Sequence, residues 1–276
     1  QMSAQFGGDQ YIAGQKEPVI DMPTRFVDFM RVLVPMAGDD TTPEGEQVNI
    51  YGNHVGSWNF AATAYLNRWK VKIYYEHYFD DHSQMFFQYG RWKDGHIGLE
   101  ITFPKNRFID TFVYEGLGTK DQTGPMLYDS FWGEFEEQIS AKDNYYNHYL
   151  YQGWQHWGMG IGNPLLPGPI YNKNGQITFI SNRVLAHHIG FCGSPCQSLS
   201  YRMLLSYSRH WGTYDNPLNE IKKQFNSLFE VTYAPQQLKG WSFTVSGAMD
   251  RGNILGNNYG GMLVIRKQGI IKSGNK

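Results

Sequence analysis

Ser57-Trp58-Asn59-Phe60-Ala61-Ala62-Thr63-Ala64-Tyr65-Leu66, followed after Asn67-Arg68 by Trp69-Lys70-Val71-Lys72-Ile73-Tyr74-Tyr75-Glu76-His77-Tyr78-Phe79, is the stretch whose reading decides the fold. In its first half Trp58, Phe60, Ala62, Ala64 and Leu66 alternate with Asn59, Ala61, Thr63 and Tyr65, the period of two that marks a strand. The second half sets Val71, Ile73, Tyr75 and Phe79 against Lys70, Lys72, Tyr74 and Glu76. Downstream, Ile97, Leu99, Ile101 and Phe103 oppose His96, Gly98, Glu100 and Thr102. Each strand carries an apolar row, aromatic near its ends, and a more polar row. An apolar row needs a cover: a packed second sheet is one, and lipid is the other.

Composition narrows the choice. The chain has 276 residues, 16% aromatic and only 18% charged, with 19 Tyr, 17 Phe, 8 Trp and 31 Gly; an average soluble domain carries about 25% charged residues. A net charge of -1 argues against nucleic acid as a partner. No run of about 18 apolar residues exists, which excludes a transmembrane helix but leaves a transmembrane barrel open, because alternation keeps mean hydropathy low. The N-terminus shows no basic segment followed by an apolar core, so any signal peptide is absent from this sequence.

Residues 1–25 read as an irregular segment or partial strand, 26–269 as the barrel and 270–276 as a tail. Phe26 to Val34 is expected to be a strand and Gly38 to Asn53 a loop. Further strands are expected at Phe108 to Leu117, Val184 to Phe191, Leu199 to Trp211, Phe225 to Tyr233, Trp241 to Met249 and Tyr259 to Ile265, about ten in all. Short turns fall at Asn67, Pro104, Gly193 and 235–240; long polar connections fall at Gly38, 80–94, 119–182, 212–223 and 251–258. In chain order short and long alternate, the asymmetry of an outer-membrane barrel with long extracellular loops. The expected fold is therefore all-β, an antiparallel transmembrane β-barrel, with outer-membrane lipid as its surroundings.

If the apolar rows face lipid, then Lys72, Glu76, Glu100, Glu115, Arg202, Glu230, Asp250 and Arg266 face the lumen, either bracing the wall by ion pairs or lining a polar path. Cys192 and Cys196 flank what reads as a tight turn; a disulfide across a hairpin and two unlinked thiols both fit. No metal or cofactor is expected. No second cysteine pair completes a ligand set, and His187 and His188 point to opposite faces of a strand. Nucleophilic catalysis is not expected either: after Asn147-His148 the position where an outer-membrane phospholipase holds its serine is Leu150. Asp80 and Asp81, or Glu134, Glu136 and Glu137, are carboxylates of the kind that act on glycosides, though a solvated loop explains them more simply. The long excursion mixes rings with amides: Tyr145, Tyr146, Tyr149, Trp154 and Trp157 stand near Asn144, Asn147 and Gln152, and Trp211 and Tyr214 near Asp215 and Asn216. Sugars stack on such rings and hydrogen-bond such amides; an interfacial aromatic girdle is the competing account for Trp211.

With these residues in view, the chain resembles the Wzi-type capsule assembly proteins of the bacterial outer membrane. The resemblance is carried by Asn53-His54-Val55-Gly56-Ser57, by Tyr114-Glu115 through Thr119-Lys120-Asp121-Gln122-Thr123-Gly124-Pro125, by Asp143-Asn144-Tyr145-Tyr146-Asn147-His148, by Gly160-Ile161-Gly162-Asn163-Pro164-Leu165 and by Ser208-Arg209-His210-Trp211-Gly212-Thr213-Tyr214. It implies a non-enzymatic barrel of about eighteen strands that helps hold capsular polysaccharide at the cell surface; this chain departs from it in showing about ten. Two other roles stay open: a channel or structural subunit working with other outer-membrane proteins, and a soluble β-rich glycan-active protein.

Overall fold

The computed structural model describes residues 2–80, 82–88, 93–130 and 133–269. The expected tail 270–276 lies outside the described residues, as does Asp81. In chain order the N-terminal part holds β1 (Met2–Gln5), β2 (Gly8–Gln10), β3 (Ile20–Met22), α1 (Phe26–Leu33) and α2 (Glu44–Val48). Next come β4 (Asn53–Leu66), β5 (Trp69–Phe79), α3 (His82–Met85), β6 (Gly95–Thr102) and β7 (Thr111–Gly118). The excursion contains only short pieces, β8 (Leu127–Tyr128), β9 (Ile139–Ser140), β10 (Gln155–His156) and β11 (Met159–Gly160). The chain then returns to long strands: β12 (Val184–Cys196), β13 (Leu199–Gly212), β14 (Pro217–Tyr233), β15 (Trp241–Gly252) and β16 (Asn258–Lys267).

Ten strands form one antiparallel sheet in the order β1-β4-β5-β6-β7-β12-β13-β14-β15-β16. The protein is all-β. From β4 onward the sheet is a meander, and the whole excursion joins two strands that lie side by side, β7 and β12. Among the described residues no pairing joins β1 to β16, so the sheet is open at both edges.

Two strand assignments change. Phe26 to Val34 is not a strand: Phe26, Phe29, Met30 and Leu33 also satisfy helical spacing, and the Asp28 carboxylate accepts the Arg25 backbone N–H at 2.9 Å, closing the first turn of α1. The tenth strand of the sheet is instead β1. The connections expected to be long at 212–223 and 251–258 are short, because β14 starts at Pro217 and β15 continues to Gly252, leaving 213–216 and 253–257. The long loops that remain, 80–94 and 119–183, emerge at the same end of the sheet as these two turns.

Register fixes which side chains share a face, since directly paired residues do. Trp58, Phe60, Ala62, Ala64 and Leu66 of β4 pair with His77, Tyr75, Ile73, Val71 and Trp69 of β5. Carried across the sheet, the same face holds Leu99 and Ile101, Phe112 and Tyr114, Ile189 and Phe191, then Met203 and Leu205. It continues through Phe229 and Val231, Phe243 and Val245, and Leu263 and Ile265. Between Trp69, Trp241 and Lys267 at the turn end and Arg209, Lys223 and Arg251 at the loop end, this face carries no Asp, Glu, Lys or Arg. It is nevertheless open, with Ile73 55%, Val245 61% and Leu263 64% exposed. His77 and Trp58, at its loop end, are tied to α3: the His77 imidazole and Gln84 O are 3.0 Å apart, and Trp58 Nε1 donates to Met85 O at 3.0 Å.

The opposite face takes all eight charges predicted to lie together. Lys72 pairs with Glu100, Arg202 with Glu230, and Ser242 with Arg266; Glu76, Glu115 and Asp250 fall in the same rows. Many are bonded there. Tyr74 Oη donates to Glu115, Ser57 Oγ donates to Glu76 at 2.6 Å, and Asn226 Nδ2 donates to Asp250 at 2.7 Å. Lys70 and Glu100 lie 3.5 Å apart, Arg202 and Glu230 3.4 Å. His187 bonds Tyr114 on the apolar face while His188 bonds Ser206 on the polar one.

The cysteines are both free. β12 runs on through a bulge between Gly193 and Cys196, and the turn falls at Gln197-Ser198. Cys192 therefore faces Arg202 and Cys196 faces Leu199, on one strand rather than across a hairpin. A disulfide across the hairpin, one of the two readings open in the sequence, has no cysteine facing another to close it.

The core sits at the loop end. Val184 and Ala186 lie on the otherwise polar face of β12, beside Leu117 of β7, and the excursion covers them with Tyr146, Leu165, Leu166 and Phe179. A second cluster, Met22, Val32, Tyr51 and Leu150, knits the N-terminal segment to the excursion. The excursion is thus a folded cap over the polar side of the sheet.

Candidate functional site

Segments far apart in sequence meet in this cap. Asp94, 1% exposed, joins two of them, 121–122 and Tyr145. Its carboxylate accepts the backbone N–H of Asp121 at 2.9 Å and of Gln122 at 2.5 Å, and the Tyr145 hydroxyl at 3.1 Å. Gln122 and Thr123 adopt left-handed backbone, φ 44° and 60°, conformations that non-glycine residues hold only when surroundings fix them. Here the fixing is explicit: Gln122 Nε2 and Thr119 Oγ1 both donate to Asn182 O, and Asn182 Nδ2 donates to Tyr145 O at 2.8 Å. Asn147 pins the far side, donating to Phe179 O and accepting Phe179 N, each at 2.8 Å.

Above this latch lies a cavity of about 660 Å³, walled by α2, 49–54, the excursion and the turn 213–216. Its floor holds Glu46 and His148. Glu46 is buried, accepts Gly52 N at 2.7 Å and lies 3.5 Å from His148 Nε2. Burial raises the Glu46 carboxyl and pushes the His148 imidazole down to about 4. Leu150 N donates to His148 Nδ1 at 3.1 Å, so the neutral ring carries its proton on Nε2, toward Glu46. The rim is ring and amide: Tyr149 is 60% exposed, stacked on His148 with centroids 4.9 Å apart. Lys142 bridges to Asp215 at 2.5 Å. The side chains of Gln152, Gln176 and Asn216 line the same cavity and make no hydrogen bond within the described protein. A second cavity of about 430 Å³ separates Glu76, Tyr78 and His96 on the sheet from Tyr146, Asn163 and Pro164 of the excursion.

Of the predicted contact residues, Asn147 lines the first cavity, and Tyr149, Asn144, Gln152, Asp215 and Asn216 join it. The others disperse. Tyr145 is buried on Asp94, and Tyr146 Oη accepts Asn163 N at 3.1 Å beside the second cavity. Trp154 is half-buried with its indole N–H unpaired, while Trp157 stands 86% exposed on the β10–β11 ribbon. Trp211 and Tyr214 lie at the loop end of the sheet among cations. Asp80 lines the first cavity, whereas Glu134, Glu136 and Glu137 are exposed on a separate segment. Glu46, Lys142 and Gln176 were not singled out in the sequence; the only local signal was Thr42-Pro43-Glu44, a helix start that places Glu46 in the first turn of α2.

His148 gives the site a pH signature. Its ring takes a proton near 6.5 in the unfolded chain but only at about 4 in the folded one. The unfolded state therefore binds more protons between those values, and stability falls as pH drops from 6.5 toward 4. His148→Gln, which keeps an acceptor for Leu150 N, is expected to flatten that limb by about 2 to 3 kcal/mol, read as denaturant midpoint against pH. An unchanged slope would place the acid sensitivity elsewhere.

Among the described residues no group of three or more His, Cys, Asp or Glu is placed to hold a metal ion, and no helix is long and apolar enough to cross a membrane. No protein-family model, no curated protein and no solved structure matches the chain.

Proposed function

We propose that the chain forms the wall and cap of a bacterial outer-membrane β-barrel of the capsule-assembly type, and that the cap contacts surface polysaccharide without catalysing a reaction on it. One observation carries the reading: a sheet ten strands wide has an uncharged, exposed apolar face backed by a charged, hydrogen-bonded one. Water on that apolar face is costly over such an area. Trp69 to His77, the aromatic limits of the row on β5, span about 27 Å along the strand, which a tilt near 40° reduces to about 20 Å, close to the height of the apolar belt of such barrels. The remaining strands of a closed barrel, about eighteen on the family resemblance, would continue from the open edges β1 and β16.

The first cavity supports the glycan role. Tyr149 offers a ring face, and Gln152, Gln176 and Asn216 offer donors and acceptors not committed elsewhere. The paired inner-face charges and the folded excursion favour bracing over conduction.

Two measurements test this. The protein is expected to need detergent and to shift on unheated gels; solubility without detergent would remove the membrane reading. Tyr149→Ala combined with Gln152→Ala is expected to weaken retention of capsular polysaccharide about tenfold, as loss of one stacking ring and one amide implies. Unchanged retention, with Trp154→Ala and Trp157→Ala as the comparison pair, would move the contact out of the cavity.

A further inference from the structure

The cations at the loop end of the apolar face are arranged unlike those elsewhere. Arg209 and Lys223 are directly opposed on β13 and β14, and Arg251 pairs with Phe225 on the adjoining strands. Lys120 and Arg183 extend the same face beyond β7 and β12, with Arg183 Nε donating to Lys120 O at 3.0 Å. Like charges directly opposed across a ladder destabilise it unless an anion lies between them. Among the described residues none of these five cations has a carboxylate partner, whereas Lys70, Lys142 and Arg202 each have one. The nearby Asp215 is taken by Lys142, and Asp250 lies on the other face with Asn226.

Aromatic rings hold three of these cations, Lys120, Arg183 and Arg209, without neutralising them. Lys120 Nζ lies 4.6 Å and the Arg209 guanidinium 5.4 Å from the Trp211 ring, and Arg183 stacks on Tyr214 at 3.8 Å. The Arg209 guanidinium, held by its face, keeps its N–H edge for a bidentate oxyanion, whereas Arg183 already gives Nε to Lys120 O. Toward the middle of the sheet from Arg209 and Lys223 the face turns aromatic at Tyr207 and Phe225, with Leu185 directly beside Arg209 and Phe225 directly beside Arg251. Cations above and apolar surface below describe an amphiphile with an anionic head.

We propose that Lys120, Arg183, Arg209, Lys223 and Arg251 bind the phosphate-bearing head of an anionic lipid in the leaflet at the loop end, with its chains lying on Leu185, Tyr207 and Phe225. The inference rests on the reading above that this face meets a bilayer. It adds a lipid-specific site to that reading, on the opposite side of the wall from the glycan cavity.

The test uses the full chain reconstituted in phosphatidylcholine vesicles containing a minor fraction of phosphatidylglycerol, with bound lipid quantified after detergent extraction. The wild type is expected to retain phosphatidylglycerol over phosphatidylcholine, and Arg209→Gln with Lys223→Gln to cut that preference on the order of tenfold. Lys267→Gln, at the turn end, is the control and should leave it intact. Because the double variant also removes the opposed like charges, it should be at least as heat-stable as wild type in neutral detergent, while added phosphatidylglycerol should stabilise only the wild type. Equal lipid preference in wild type and double variant overturns the proposal, as does release of the lipid by millimolar inorganic phosphate, which would mark a site for the free anion. Failure of the wild type to enter vesicles of either composition overturns the membrane reading itself; insertion without lipid preference overturns only the lipid site.

Discussion

Arginine in place of Ile73 or Val245 is expected to destabilise the inserted protein by about 2 to 4 kcal/mol, whereas arginine in place of Ala248 should cost well under half as much. Ile73 and Val245 lie midway along the uncharged face, with only apolar or aromatic neighbours in their cross-strand rows, Ala62 and Leu99 for the first and Val231 and Leu263 for the second. A guanidinium there must either lose its hydration or drag water and head groups toward the bilayer centre. Ala248 lies on the other face opposite Leu228, in the strand that carries Asp250, where water and a carboxylate are at hand. The contrast reads the solvent of each face directly. If the apolar face met water, arginine on an open strand position would change stability by no more than about 0.5 kcal/mol. Urea midpoints of the three variants in lipid vesicles, measured against wild type, check it; equal midpoints for Val245→Arg and Ala248→Arg would end the assignment of lipid to this face.

How far this was legible in the sequence follows from the same physics. Where one face of a sheet is apolar and the other polar, side chains alternate with a period of two, and β4 to β7 and β13 to β16 announce themselves at the level of single residues. The two-residue turn at Asn67-Arg68 falls where the alternation breaks, with Asn67 at φ 56°, a left-handed backbone that asparagine tolerates. Toward the loop end both faces carry polar side chains and the signal disappears. Asn219, Glu220 and Lys222 therefore read as loop although they belong to β14. α1 was misread for another reason: Phe26, Val27, Phe29 and Met30 fit either period when so few residues are counted, and the arbitrating feature is a single carboxylate, Asp28, folding back on Arg25.

The cap was legible only as chemistry, not as geometry. Its ring and amide composition pointed to Asn144, Asn147, Tyr149 and Gln152, and the cavity contains them. Nothing local could show that Tyr145 and Trp211 would serve other partners, because those partners come from distant segments: Asp94 for the one, Lys120 for the other. Equally, Glu46 and His148 meet only because α2 and the excursion are folded over the same end of the sheet. A cavity walled by five or six separate segments has no period to read.

Asp94→Ala should therefore be the most damaging single change in the cap. It removes the shared acceptor of two backbone N–H groups and one buried hydroxyl, each of which costs about 1 to 3 kcal/mol when left unpaired. A local loss of at least about 3 kcal/mol is expected, exposing the amides of Asp121 and Gln122 to hydrogen exchange on the order of a hundredfold faster than in wild type. The sheet is held by its own ladder, so exchange from β4 and β5 should stay unchanged; uniform acceleration across the protein would mean that Asp94 supports the whole fold instead. Asp94→Asn separates charge from bonding. Burial pushes the Asp94 carboxyl up to about 6 in the folded protein, against the ordinary value of 3.8, so this group's contribution to stability grows as pH falls from 6 toward 3.8 and is lost as pH rises through 6. The amide keeps an acceptor for part of the triad and carries no buried charge. Its protection factors should thus lie between those of wild type and Asp94→Ala at pH 7, and should not rise on acidification as the wild type's do. If Asp94→Asn instead matches Asp94→Ala at every pH, the carboxylate's charge, rather than its place as acceptor, holds 119–123 against the strand it precedes.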